Sequence, residues 1–330
     1  MLSRNDFFDT VKRNIINFLP EEMYDKVEIT DTVVTKMNDQ KLHGIVIKEH
    51  GKEAAPTFYM DDMFDRYESG EDLGSLMSEM ARIYSATMDA PRPPQIDLNF
   101  DAVRDNLSVR LMEVSRNRDF LRDMPYVDLG NGLAMTADIN FPGGMDGDWR
   151  VAVNHGVMEQ LGVDRHELFT TAMDSAVIND RATLTDMTQA LFGPGKENLL
   201  DRSGPIDPAD IGGMYVLTTE SGTLGASALY YPDVKEKAAE VIGCSYYVLP
   251  SSTHEVILVP DAAGIDEKDL CSMVKQANRT VVEPKDVLSD NVYHFDKDTR
   301  ELSKVSDDRE RDSIVAEARW SGWRSRSIRR

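Results

Sequence analysis

Short stretches in which Val, Ile, Thr, Tyr and Leu alternate with polar residues recur along this chain, bounded by Gly, Pro, Asn or Asp and often followed by apolar residues at three- and four-residue spacing. A period of two buries one face only as a strand, and a period near 3.6 only as a helix. The succession therefore reads as α+β, with hairpin-plus-helix (ββα-type) units forming mainly antiparallel sheets covered by helices. It is plainest toward the C-terminus, where residues 214–219, 226–231, 246–249 and 255–259 read as strands. Pro232 and Asp266 open helices that run to about 242 and 278. Strand, strand, helix thus occurs twice, and YVLTT at Tyr215 is echoed by YVLPS at Tyr247. The unbroken apolar run Val256, Ile257, Leu258, Val259 marks a central strand covered on both faces. A last hairpin over 291–305 turns between Asp296 and Arg300.

Nearer the N-terminus, Ser3 and Asp6 have capping-box spacing ahead of Phe7, Phe8, Val11, Ile15, Phe18 and Leu19 on one helical face, and Pro20 ends the helix. Residues 26–36 and 41–49 flank Asn38-Asp39-Gln40 as a hairpin. After Pro56 the pattern turns helical, with Leu73, Leu76, Met77, Met80, Ile83 and Tyr84 forming a core face. A helix is expected over 101–114, then a hairpin from 133–141 to 149–154. Asp164 and Glu167 cap a helix that buries Leu168, Phe169, Ala172 and Met173. Composition divides the chain into an N-terminal α+β region, 1–192, with a proline-rich connector near 90–98; a loop or linker, 193–213; a C-terminal ββαββα domain with its final hairpin, 214–305; and a flexible Arg/Trp-rich tail, 306–330.

The two cysteines, Cys244 and Cys271, are too few for a disulfide framework or a four-thiolate zinc site. No stretch reaches the roughly 20 apolar residues that span a bilayer, and the N-terminus lacks a signal-peptide apolar run, so a soluble cytoplasmic chain is expected. The net charge is −21; five arginines and no acid lie beyond Glu317, which leaves residues 1–317 at −26. A body this acidic repels phosphate backbones, so nucleic acid is disfavoured as a partner except through the basic tail.

The blocks GMYVLTTE, GCSYYVLPSSTHEVILVPD and VLSDNVYHFDKDTREL, with APTFYMDDMFDRYESGEDL and GVMEQLGVDRHEL further upstream, resemble an uncharacterised bacterial family, domain-of-unknown-function family 5688. The similarity spans about residues 1–305. It implies a bacterial source, associated with gut Firmicutes and mobile-element contexts, and transfers no activity or catalytic role. The end after Ile314 departs from the family core.

Motifs for cofactor chemistry are absent from the sequence. GPGK at Gly193 to Lys196 lacks the upstream glycine of a phosphate loop and continues with Glu197 in place of Ser or Thr, and no G-x-G-x-x-G follows a strand. His166-Glu167 and His254-Glu255 each lack the second histidine of a zinc-protease helix, and Asp296, Asp298 and Asp307 read as a hairpin turn, because Arg300 and Glu301 occupy key calcium-loop positions. No cofactor or metal is expected. One cluster has the residue types for nucleophilic catalysis: Ser251, Ser252, Thr253, His254 and Glu255 between two apolar strands. There His254 would act as base for Ser251 or Ser252, with Glu220 as the orienting carboxylate. The opposing reading is a turn whose hydroxyls satisfy local backbone groups.

The function these observations favour is a non-enzymatic interaction or accessory protein that recognises another protein. A hydrolase using the Ser251 to Glu255 cluster is the first alternative. An acidic decoy imitating DNA phosphates is the second.

Overall fold

The computed structural model describes residues 1–51, 55–89, 98–144, 147–192, 197–206, 213–250 and 252–305, excluding the side chains of 89, 142–144, 147–149 and 192. Residues 90–97 of the connector, GPGK, Ser251, Asp307 and the tail lie outside the described residues. The chain divides into two compact units between Ile96 and Asp97.

In the first unit, Ser3 caps α1 (Arg4–Asn14): its Oγ accepts the Asp6 N–H and donates to the Asp6 carboxylate at 2.6 Å. That reciprocal bond satisfies a donor the helix leaves open. A 3₁₀ turn, Ile15–Phe18, follows and ends before Pro20. β1 (Val27–Thr35) and β2 (Lys41–Glu49) pair antiparallel from Val27↔Glu49 to Thr35↔Lys41. Asn38 and Asp39 make the turn at φ 60° and 50°, a left-handed conformation that short polar side chains tolerate. The helix expected directly after Pro56 is preceded by a strand, β3 (Thr57–Tyr59), on the other edge of β2; three residues are too few to display a period. α2 (Met60–Glu68) and α3 (Leu73–Asp89) complete the unit. Phe7, Val11 and Ile15 meet Ile45, Ile47, Leu76, Met80 and Tyr84 in one core. Phe18 and Ile83, read onto those apolar faces, are instead 36% and 40% exposed.

The second unit begins with α4 (Phe100–Val103) and a 3₁₀ turn, Arg104–Asn106. The helix expected over 101–114 stops there and becomes β4 (Leu107–Glu113). Leu107, Val109 and Leu111 alternate with Ser108 and Arg110, and only an extended chain delivers the three apolar side chains to one core. β4, β5 (Val127–Asp128), β6 (Leu133–Gly144) and β7 (Gly147–Ala152) form a four-stranded sheet around β6. α5 (His155–Leu161) leads to α6 (Arg165–Asn179), whose cap Asp164 accepts the Glu167 N–H at 2.9 Å. Leu168, Phe169, Ala172 and Met173 of α6 pack on this sheet's apolar face.

A six-stranded sheet shares that core. It comprises β8 (Ala182–Asp186), β9 (Tyr215–Thr219), β10 (Tyr246–Leu249), β11 (Val256–Pro260), β12 (Val292–Asp296) and β13 (Glu301–Val305), with α7 (Met187–Phe192), α8 (Val234–Ile242) and α9 (Glu267–Thr280) between strands. The order β13-β12-β10-β11-β9-β8 is antiparallel throughout. β11 lies between β10 and β9: Val256 and Leu258 join the main core, while Ile257 and Val259 face a smaller one with Leu270 and Val274 of α9. Because β8 pairs with β9, this sheet runs across 193–213, the segment whose composition suggests the main linker. Asn198, in that segment, occupies the edge of β8, accepting the Leu184 N–H at 3.0 Å and donating to the Ala182 carbonyl at 3.0 Å.

Residues 226–231, expected as a strand, instead lie in a 3₁₀ turn, Gly225–Tyr230, and its end. β9 is already flanked by β11 and β8, so no edge remains for a hairpin partner. The echo between Tyr215 and Tyr247 therefore holds for two strands and not for two whole ββα units.

Candidate functional site

The connection from β10 to β11 carries the cluster singled out in the sequence. Ser252 bridges to Val287, and its Oγ accepts the His254 backbone N–H at 3.0 Å. Thr253 is 2% exposed, donates its N–H to the Asp286 carbonyl at 2.8 Å and accepts the Ala226 N–H at 3.2 Å. Ser252 and Thr253 thus clamp this connection between the 3₁₀ turn and the loop that precedes β12.

The His254 ring closes the clamp. Its Nδ1 accepts the Leu224 N–H at 3.2 Å; a backbone amide can only donate, so Nδ1 is the unprotonated nitrogen and the proton sits on Nε2. Nε2 lies 3.5 Å from Oδ1 of Asp286, and the His254 carbonyl accepts the Thr218 hydroxyl at 2.7 Å. Glu220 is exposed: its N–H donates to the Arg181 carbonyl at 2.9 Å, and its carboxylate meets none of the cluster among the described residues. The carboxylate beside His254 is therefore Asp286, in place of Glu220. Only the fold brings Asp286 there, from 32 residues downstream, and no local pattern marks it.

Leu224 is held in the left-handed region, φ 55°, unusual for a side chain branched at Cγ. Three bonds fix it: the one to His254, and two that its carbonyl accepts from Ser227, N–H at 3.3 Å and hydroxyl at 3.1 Å. Gly225 follows because nothing larger fits. A Cβ there would stand 2.6 Å from the Thr219 nitrogen and 2.7 Å from the His254 carbonyl oxygen.

This clasped segment forms one wall of a cavity of about 340 Å³. The lining also includes Asp105 and Asn106 of the 3₁₀ turn before β4, Leu107 to Val109 at its start, Asn140 of β6, Arg150 of β7, and Ala176, Asn179 and Asp180 at the end of α6. Arg150 Nε donates to Asn140 Oδ1 at 2.8 Å. Both Asp180 oxygens accept from Ser221, N–H at 2.8 Å and hydroxyl at 2.6 Å. Tyr231, also in the lining, has its phenol pushed up to about 12 by burial. Two residues before Asn140 on β6, Asp138 is fully buried, and Arg110 donates to its Oδ2 through Nε at 2.8 Å and Nη2 at 2.7 Å. Burial raises the Asp138 carboxyl, while the charges of Arg110 and Arg150 oppose that.

Among the described residues no three His, Cys, Asp or Glu side chains converge as metal ligands, and no helix is long and apolar enough to cross a membrane. The sheets, helices and polar-walled cavity define an α+β protein with open antiparallel sheets. The chain belongs to a family of unknown function, DUF5688, whose model matches residues 4–297. No curated protein and no solved structure matches it.

Proposed function

We propose that this chain is a non-enzymatic interaction or accessory protein of a bacterial cytoplasm, associated with mobile elements, and that it acts by binding another protein. The observation that supports this reading is the state of His254. A base for serine needs a free nitrogen lone pair, and the Nδ1 lone pair is engaged with the Leu224 N–H. The remaining nitrogen carries its proton toward Asp286, and the Ser252 hydroxyl accepts from the backbone in place of donating to the ring. These polar groups hold the fold together, which favours recognition over bond making. The acidic surface adds electrostatic selectivity for a basic partner.

The test has two arms. The tagged chain is used to capture partners from bacterial lysate at low and high salt, and a captured protein is purified and titrated against it. In parallel the chain is assayed on ester and phosphate substrates with His254→Ala beside it. Saturable binding to one purified partner without His254-dependent turnover is the expected result. Turnover that disappears in a folded His254→Ala variant would sink the reading.

A further inference from the structure

An edge strand leaves half of its backbone groups without a partner, and proteins shorten, bend, charge or cover such edges to prevent association. Asn198 covers part of the edge of β8, and β3 is three residues long. β1, at the edge of the first unit's sheet, is nine residues long, contains no proline and pairs with β2 without a bulge. The His50 N–H donates to the Lys26 carbonyl at 2.7 Å and the Lys36 N–H to the Gln40 carbonyl at 2.8 Å, so the even-numbered residues between them bond to β2. Val27, Ile29, Asp31, Val33 and Thr35 therefore direct N–H and C=O outward. Among the described residues nothing bonds to that edge except the Asp31 carboxylate, which meets its own N–H. None of the nine residues is buried, and Val33 is 53% exposed.

The side chains select what fits there. Two antiparallel copies of β1 bond only in registers that set outward residues opposite outward residues. With the two-fold axis at Thr32, Ile29 bonds to the partner's Thr35 and Asp31 to the partner's Val33. On the face turned away from the Ile45 and Ile47 core, Glu28 then stands across from the partner's Lys36 and Thr30 from the partner's Val34, and symmetry makes each pair twice. Glu28 and Lys36 are exposed and neither has a carboxylate or ammonium partner among the described residues; the Lys36 ammonium lies 5.2 Å from the centre of the Tyr59 ring. On the other face Asp31 is already paired with Lys12, and Val33 gains the partner's Val33 as a diagonal neighbour. An axis at Asp31 would instead oppose two aspartates and set Glu28 against Val34. We propose that β1 is a self-association edge: a second copy of this chain adds antiparallel to it about an axis at Thr32, joining two three-stranded sheets into one of six. This goes beyond capture of a different protein and is read on the purified chain alone.

Sedimentation equilibrium of the purified chain tests this, in salt of about 150 mM so that repulsion between copies of net charge −21 is screened beyond about 8 Å. The average mass is expected to climb from one chain toward two between roughly 1 and 500 μM, the range of a small interface. Val33→Pro removes an outward N–H at a strand edge, where proline is tolerated, and leaves the bonds to β2 in place; it should weaken association about 10-fold or more with an unchanged melting curve. Glu28→Lys and Lys36→Glu each set like charges opposite one another and should weaken it about 3-fold or more, while the double exchange should return it to within about 2-fold of the parent. If Val33→Pro fails to fold, the charge exchange decides. An edge reserved for an extended segment of another protein would show a single-chain mass throughout that range, which overturns the proposal. So does undiminished association of a folded Val33→Pro variant, or a double exchange that associates no more tightly than the single ones.

Discussion

The two units bury polar groups very differently. In the first, Asp61 is the buried polar side chain among the described residues; it pairs with Arg4 and accepts the His43 N–H at 2.8 Å. The second buries Glu113, Asn117, Asp138, Ser252, Thr253, Ser289 and others. Many of these join segments remote in sequence: Glu113 Oε1 accepts from Asn291 Nδ2 at 2.8 Å across 178 residues, and Arg116 links Glu113 to Asp290. The first unit closes its core with a hairpin and helices adjacent in the chain, so apolar patterning suffices. The second must bring distant strands into register, and buried polar bonds penalise wrong pairings because a slipped register leaves those groups unsatisfied.

Breaking one buried pair should separate the units most sharply. Arg110→Met leaves the Asp138 carboxylate buried without its partner and should cost about 3–5 kcal/mol in denaturant unfolding. Adding Asp138→Leu should recover more than half of that loss. In the first unit Arg66 bonds Glu71 and Glu79 at the surface, and Arg66→Ala should leave the unfolding midpoint within error. Equal losses at the two arginines would erase the contrast.

Glycine gives the next largest difference. Gly225→Ala drives a methyl against backbone atoms that cannot yield, and about 3 kcal/mol of destabilisation is expected. Gly44→Ala in the first unit meets the Thr57 methyl at 2.7 Å, a side-chain end that can rotate, and should cost about 1 kcal/mol. A reversed order in thermal melts would contradict the account of the Gly225 turn.

At His254 the loss is smaller. His254→Ala orphans the Leu224 N–H and should cost about 1–3 kcal/mol, whereas His254→Asn, which can present an oxygen near the Nδ1 position, should restore part of it. Identical melts for the two variants would mean the hydrogen bond contributes nothing.

The smallest effect is a pH dependence at the final hairpin. The Thr299 N–H holds the Asp296 carboxyl below the usual aspartate range; burial opposes this, and the Asp298 N–H reinforces it. A carboxyl lowered on folding stabilises above its unfolded value, about 3.9, and that contribution is lost as pH falls through the lowered folded value. Asp296→Asn should therefore flatten part of the acid-side fall in stability below about pH 4. An unchanged acid limb would remove Asp296 from the explanation.

Much of the fold was legible wherever a short window carried the whole signal. Ser3 with Asp6, and Asp164 with Glu167, cap the helices their spacing indicates; the apolar stretch from Val256 proves to be a central strand, and Asn38 turns its hairpin. β3 and β5 leave no mark in the sequence because three and two residues hold no period. β8 is not legible locally because its partner β9 lies beyond a 28-residue gap, and the stretch at 226–231 has strand propensity but no free edge, since both sides of β9 are taken. The candidate site was legible only as a composition of Ser, Thr, His and Glu. Asp286, the engaged state of His254 and the cavity beside Leu224 depend on segments that meet only after folding.

By itself the amino-acid order determined the α+β class, the capped helix starts at Ser3 and Asp164, the turn at Asn38 and the family, because each depends on residues within a turn or two of one another or on blocks read in line. Tertiary structure alone decided which strands are neighbours, which carboxylate stands beside His254, and where a cavity opens. Those outcomes depend on edges, volumes and hydrogen-bond partners shared between segments far apart in the chain, quantities that no short window contains.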